Sequence, residues 1–102
     1  MKMHNPPHPG EIIADALDEL GLGIRELSRA LNVAPSTAQR LVSCQAAVSP
    51  EMAIKLAEVL GSSPQVWMRL QEAWSLHEAQ KKVDLTKLTR LFVPTDSMIA
   101  SS

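Results

Sequence analysis

The sequence predicts an all-α domain of five helices with a short C-terminal tail. Two observations carry that reading. Apolar residues recur at the three- and four-residue spacing of a helix face in every segment between residues 9 and 82, with no convincing strand between them. The breaks between segments also fall on the residues that start and stop helices: Pro9, Gly21, Pro35, Ser49-Pro50, Gly61 and Ser63-Pro64.

The first seven residues, with Asn5-Pro6-Pro7, read as a flexible arm. PGEIIADALDELG then places Ile12, Ile13, Ala16, Leu17 and Leu20 on one stripe, and Glu11 and Asp15 suit the positive end of the helix dipole. In IRELSRAL the inward set is Ile24, Leu27, Ala30 and Leu31, with Arg25, Glu26 and Arg29 outward. Asn32 follows, a residue that tolerates the left-handed backbone needed to reverse the chain. Pro35 opens a third helix anchored by Ala38, Leu41 and Val42, which leaves Ser36, Thr37, Gln39 and Arg40 facing out. Ser49 and Ser63, each followed by proline, cap the fourth and fifth helices. The fourth is built on Ala53, Leu56, Ala57 and Leu60, and the fifth carries Trp67, Leu70 and Trp74 along one side. Beyond Val83, Leu85, Leu88, Leu91 and Phe92 recur at roughly helical spacing after a possible cap at Asp84, and the last residues read as disordered. The domain organisation is therefore an arm at 1–7, a folded body at 8–80 and a tail at 81–102.

Bulk properties exclude several classes. A chain of 102 residues buries roughly 65% of its unfolded surface, enough for one core without covalent staples. A single Cys, no secretion signal and no apolar run near the ~20 residues of a membrane span predict a cytoplasmic protein with no membrane partner. The net charge of −1 argues against unspecific polyanion binding by the whole surface, but the charge is segregated. Residues 11–19 carry −4, residues 22–45 carry +2 and residues 81–93 carry +3, so one face can be basic while the whole is neutral.

The third helix is the informative one. It is too polar for a core helix and too poor in Glu and Lys for an ordinary solvated one. With the second helix it has the layout of a helix-turn-helix, small Ser28 lying where the two would cross closely. In such a unit the second helix lies in the major groove. Gln39 can pair bidentately with adenine, Arg40 can fork onto guanine or a phosphate, and Ser36 and Thr37 can bond to either kind of group. Arg25 and Arg29 on the preceding helix are placed for backbone phosphate. The bland alternative is that any short surface helix has a polar face.

Beyond these local features, HPGEII at 8–13, RELSRALNVAPSTAQRLVS at 25–43, AAVSPEMAIKLAEVLGSSPQVWMRLQEAWSL at 46–76 and VDLTKLTRL in the tail resemble the helix-turn-helix repressors of the Cro and phage-repressor class. Within that class the chain is similar to the HigA antitoxins over roughly residues 8–92. The resemblance implies a five-helix phage-repressor-like fold and a homodimer on an inverted repeat of double-stranded operator DNA in its own promoter. It also implies neutralisation of a HigB-like toxin that cleaves RNA on the ribosome, no catalytic activity and no cofactor. By position it implies DNA contacts from Ser36, Thr37, Gln39 and Arg40, with Gln45 following them. Two positions depart from the family pattern: Cys44 stands where Gly is usual, and Gln45 where Lys or Arg is frequent. The first would strain a left-handed exit from the recognition helix, and the second would remove a phosphate contact.

The rival readings are a stand-alone repressor without a toxin and an interaction module that has lost operator binding. His4, His8, His77 and Cys44 lack the spacing of metal ligands, and Cys44 lacks an adjacent base. The acidic first helix is a solvated face or a dock for a basic partner. Because one helix-turn-helix spans only a half-site, a dimer is expected. Its candidate interface is Trp74 with Leu85, Leu88, Leu91 and Phe92, the tail packing on the body or on the second subunit.

Overall fold

A computed structural model describes residues 5–92. Five α-helices follow in the expected order: α1 Pro9–Leu20, α2 Ile24–Leu31, α3 Pro35–Val42, α4 Pro50–Leu60 and α5 Pro64–Lys82. A single 3₁₀ turn, Leu85–Lys87, follows them, and the described residues hold no strand. Of the arm, residues 5–7 are non-helical; residues 1–4 and 93–102 lie outside the described residues.

The helix ends follow from local chemistry. Pro occupies the first turn of α1, α3, α4 and α5, where its missing N–H breaks no helical bond. Ser49 Oγ accepts from the Met52 N–H at 3.2 Å and Ser63 Oγ from the Val66 N–H at 3.2 Å. At the other ends α1, α2 and α3 close in the same way. Gly21, Asn32 and Cys44 turn left-handed at φ 70°, 58° and 65°. The next residue's N–H then reaches back to the last turn: Leu22 to the Leu17 carbonyl, Val33 to that of Ser28 and Gln45 to that of Arg40.

The core is one cluster drawn from every helix: Ile13, Leu17, Leu27, Leu31, Ala38, Leu41, Val48, Ala53, Leu56 and Trp67. In it α2 packs on α3, α1 crosses α3, and α4 lies against α2 and α5. Leu20 and Ala30 depart from the expected inward sets. Leu20 is 60% exposed because α1 outruns the core, and the space around neighbouring Gly21 is open. Ala30 is exposed because it lies about 100° round α2 from the Ile24–Leu27–Leu31 stripe, on which buried Ser28 takes the inward place. The tail also departs from the expectation that it packs on the body. Leu85, Leu88 and Phe92 are exposed and Leu91 is 95% exposed. Asp84 does cap, its carboxylate accepting from the Thr86 N–H at 3.0 Å, but one 3₁₀ turn cannot gather four apolar side chains onto one face.

Among the described residues, no helix is long and apolar enough to cross a membrane.

Candidate nucleic-acid interface

The helix-turn-helix is α2 and α3 joined through residues 32–34. Its crossing rests on Ser28, which is buried and sends its hydroxyl back to the Arg25 carbonyl at 2.9 Å. The small side chain lets the helices approach, and the internal hydrogen bond satisfies a hydroxyl that burial would otherwise strand.

On this frame Ser36, Gln39 and Arg40 are exposed along α3, and Thr37 is half-buried. Arg25 and Arg29, one turn apart on α2, are exposed and line an open polar cleft with Ser28, Asn32, Val33 and Pro35. That cleft ends at the start of α3. The start of α3 differs from those of α1, α4 and α5, which a side chain caps: the N-cap is Ala34, which cannot. Pro35 has no N–H, Thr37 and Ala38 return theirs to the Ala34 carbonyl, and the Ser36 N–H has no partner among the described residues. A free donor at the positive end of a helix, flanked by two guanidinium groups, is a site for an anionic oxygen. Between the arginines, Glu26 is turned back on its own helix. It accepts the Gly23 N–H at 2.9 Å, and that bond holds its carboxyl below the usual range.

Gln45 is exposed just beyond α3. Cys44 before it has the left-handed φ that the sequence led us to expect, at 65°. Its thiol is half-buried, and loss of solvent pushes it up from the usual thiol value, so it is a poor thiolate. Of the imagined metal ligands, His8 and Cys44 line one small pocket, His77 is not among its lining residues, and His4 lies outside the described residues. No group of three His, Cys, Asp or Glu among the described residues is placed to share an ion.

Two residues that position α3 were not singled out as such in the sequence. His8 is the N-cap of α1, its Nδ1 accepting from the Gly10 N–H at 2.8 Å. It is buried, and its burial pulls the imidazole below its ordinary value, partly offset by Glu11. The His-Pro start of α1 could have signalled this. Gln71 of α5 fixes the loop after α3: its Oε1 accepts from the Val48 N–H at 2.8 Å and its Nε2 donates to Ser75 Oγ at 2.9 Å. Partners 23 residues apart leave no local signal. Trp74, expected at a dimer contact, lies half-buried with its ring against His8 of the same subunit.

Comparison with known proteins agrees with this geometry. A sequence model of helix-turn-helix proteins matches residues 13–67. The HTH-type transcriptional regulator YddM of Escherichia coli strain K12 is 59% identical over 91 residues, 89% of this chain and 97% of its own. Antitoxin HigA-1 of Vibrio cholerae is 30% identical over 76% of this chain and 73% of its own. Among solved structures, Pseudomonas aeruginosa antitoxin HigA with the higBA promoter superposes with a TM-score of 0.75 at 36% identity, over 85% of this chain and 99% of that one.

Proposed function

The chain belongs to the helix-turn-helix family, and from that premise we propose that it is an antitoxin that represses its own operon and neutralises a HigB-like toxin in the cytoplasm. The observation that carries the reading is the uncapped start of α3 beside Arg25 and Arg29, with Ser36, Gln39 and Arg40 exposed along the same helix. Phosphate held at the α2–α3 cleft sets the register, and Gln39 and Arg40 read base edges in the major groove. The solved Pseudomonas aeruginosa HigA, with its promoter, supports the same use of the fold here.

A homodimer follows from the length of a two-half-site operator. The uncovered Leu85, Leu88, Leu91 and Phe92 supply an apolar tail for the second copy. Replacing Leu88 and Leu91 with Asp is expected to leave a folded monomer at micromolar concentration by sedimentation, and an unchanged dimer would remove the tail from the interface.

The direct test is binding to the DNA upstream of the protein's own gene at two salt concentrations. Gln39→Ala/Arg40→Ala is expected to lose at least about tenfold in affinity, since each good base contact is worth ~1–3 kcal/mol. Arg29→Ala should weaken all sequences alike and lower the salt slope by about one. Folded wild-type protein that ignores this DNA would favour the interaction-module reading, to which Cys44 and Gln45 lend weight. Rescue of growth on co-expression with a neighbouring small basic protein separates an antitoxin from a stand-alone repressor.

A further inference from the structure

The outward side of α5 runs the length of the helix with no partner inside the subunit. At 100° per residue, Trp67, Leu70, Gln71 and Trp74 fall on the inward side. Met68, Arg69, Glu72, Leu76, Ala79 and Val83 lie within about 60° of the opposite line. This outer stripe is apolar at both ends and charged in the middle. At the N-terminal end Met68 borders an open groove with Pro64 and with Pro50 and Ile54 of α4, where Ile54 is 60% exposed. At the C-terminal end Leu76, Ala79 and Val83 form a ridge continued by Leu85, with Leu76 57% exposed and Val83 56%. Between them Arg69 and Glu72 stand without an ion-pair partner, the salt bridge on this helix being Lys81 with Glu78. A helix with apolar groups on both sides is covered on both sides.

We propose that the outer stripe of α5 pairs with the same stripe of a second copy, antiparallel, about a two-fold axis passing between Arg69 and Glu72. The charge order makes the stripe self-complementary, because Arg69 of each copy meets Glu72 of the other, giving two equivalent ion pairs. That register also matches the apolar ends. From the axis to Leu76 is about 8 Å and from the axis to Pro64 about 10 Å, at 1.5 Å per residue. The Leu76–Val83 ridge of each copy therefore comes down over the groove between α4 and α5 of the other. The interface continues through Leu85 into the exposed tail. This pairing rests on the reading of the protein as a dimer, and names the surface and register that the dimer uses.

The test is charge exchange between copies. Arg69→Glu alone and Glu72→Arg alone each set like charges across the axis and are expected to weaken self-association by tenfold or more. Mixed one to one, they restore opposite charges only in the heterodimer, which native mass spectrometry resolves by mass. A heterodimer share far above the statistical value of about one half is expected; pairing within one helix cannot produce it. Leu76→Asp, at an exposed position that leaves the fold intact by circular dichroism, is expected to give monomer. Statistical mixing with Leu76→Asp still dimeric overturns the α5 interface and leaves the dimer reading standing. Wild-type protein that is monomeric throughout the micromolar range overturns both.

Discussion

His8 stands edge-on to Trp74, the ring centroids 4.7 Å apart and the planes crossing at 79°. The contact joins the first residue of the folded body to the last helix. The same imidazole caps α1, so one side chain both starts the first helix and fastens it to α5.

This arrangement predicts that stability falls on mild acidification. The cap needs an unprotonated Nδ1, because that atom accepts the Gly10 N–H. Burial lowers the folded-state pKa of His8 below its ordinary 6.5, so the unfolded chain binds the proton more readily. The stabilisation is complete above that ordinary value and declines as pH falls through it toward the folded value. Urea titrations from pH 8 to pH 5 should show the midpoint falling, and His8→Asn, which retains a capping oxygen, should flatten that fall. An unchanged slope in the variant would assign the acid sensitivity elsewhere.

Gly10→Ala should destabilise the protein, against the usual sign for this change inside a helix. Alanine normally gains up to ~1 kcal/mol there. Here a Cβ would run into the Leu41 carbonyl oxygen, with Cys44 Sγ and His8 Nδ1 at 3.1 Å. Backbone cannot yield as a side-chain tip can, so a loss of ~1–3 kcal/mol is expected in equilibrium unfolding.

Cys44→Gly should stabilise. A left-handed residue with a Cβ is strained by ~1 kcal/mol, and φ here is 65°. Some of that gain is offset by packing lost with the half-buried thiol, so the midpoint should rise modestly. Cys44→Val, β-branched at the same φ, should lower it.

Gln71→Leu should cost ~1–3 kcal/mol despite its similar size, because the buried Val48 N–H loses its acceptor. Hydrogen exchange at the Val48 amide should accelerate in the variant before that of the α2 and α3 amides does.

Gln45→Lys should raise operator affinity at low salt and steepen its salt dependence by about one unit, with stability nearly unchanged at this exposed position. An unaltered slope would mean that the residue after α3 stands off the phosphates.

Much of the fold was legible because its signals are local. Ser49-Pro50 and Ser63-Pro64 mark two helix starts by hydroxyl and ring, and the Schellman-type ends at Gly21 and Asn32 need no partner elsewhere in the chain. Periodicity also placed Ser36, Gln39 and Arg40 outward. It failed at Leu20, since spacing reports which side a residue faces and not whether anything is there to cover it. It failed at the tail for the same reason. The supports of α3 were hidden because they are contacts between distant segments: Gly10 reads as ordinary helix and Gln71 as ordinary surface until the chain folds.

The joint at Gly10 has a consequence for how such sequences diverge. The recognition helix is held at its far end by α1, at a point that touches no base. Operators can therefore change by altering positions 36 to 40 while the joint is retained. In a set of descendants reading different promoters, glycine at position 10 should persist as a mark of shared ancestry, while residues 39 and 40 should record only the DNA each lineage came to regulate.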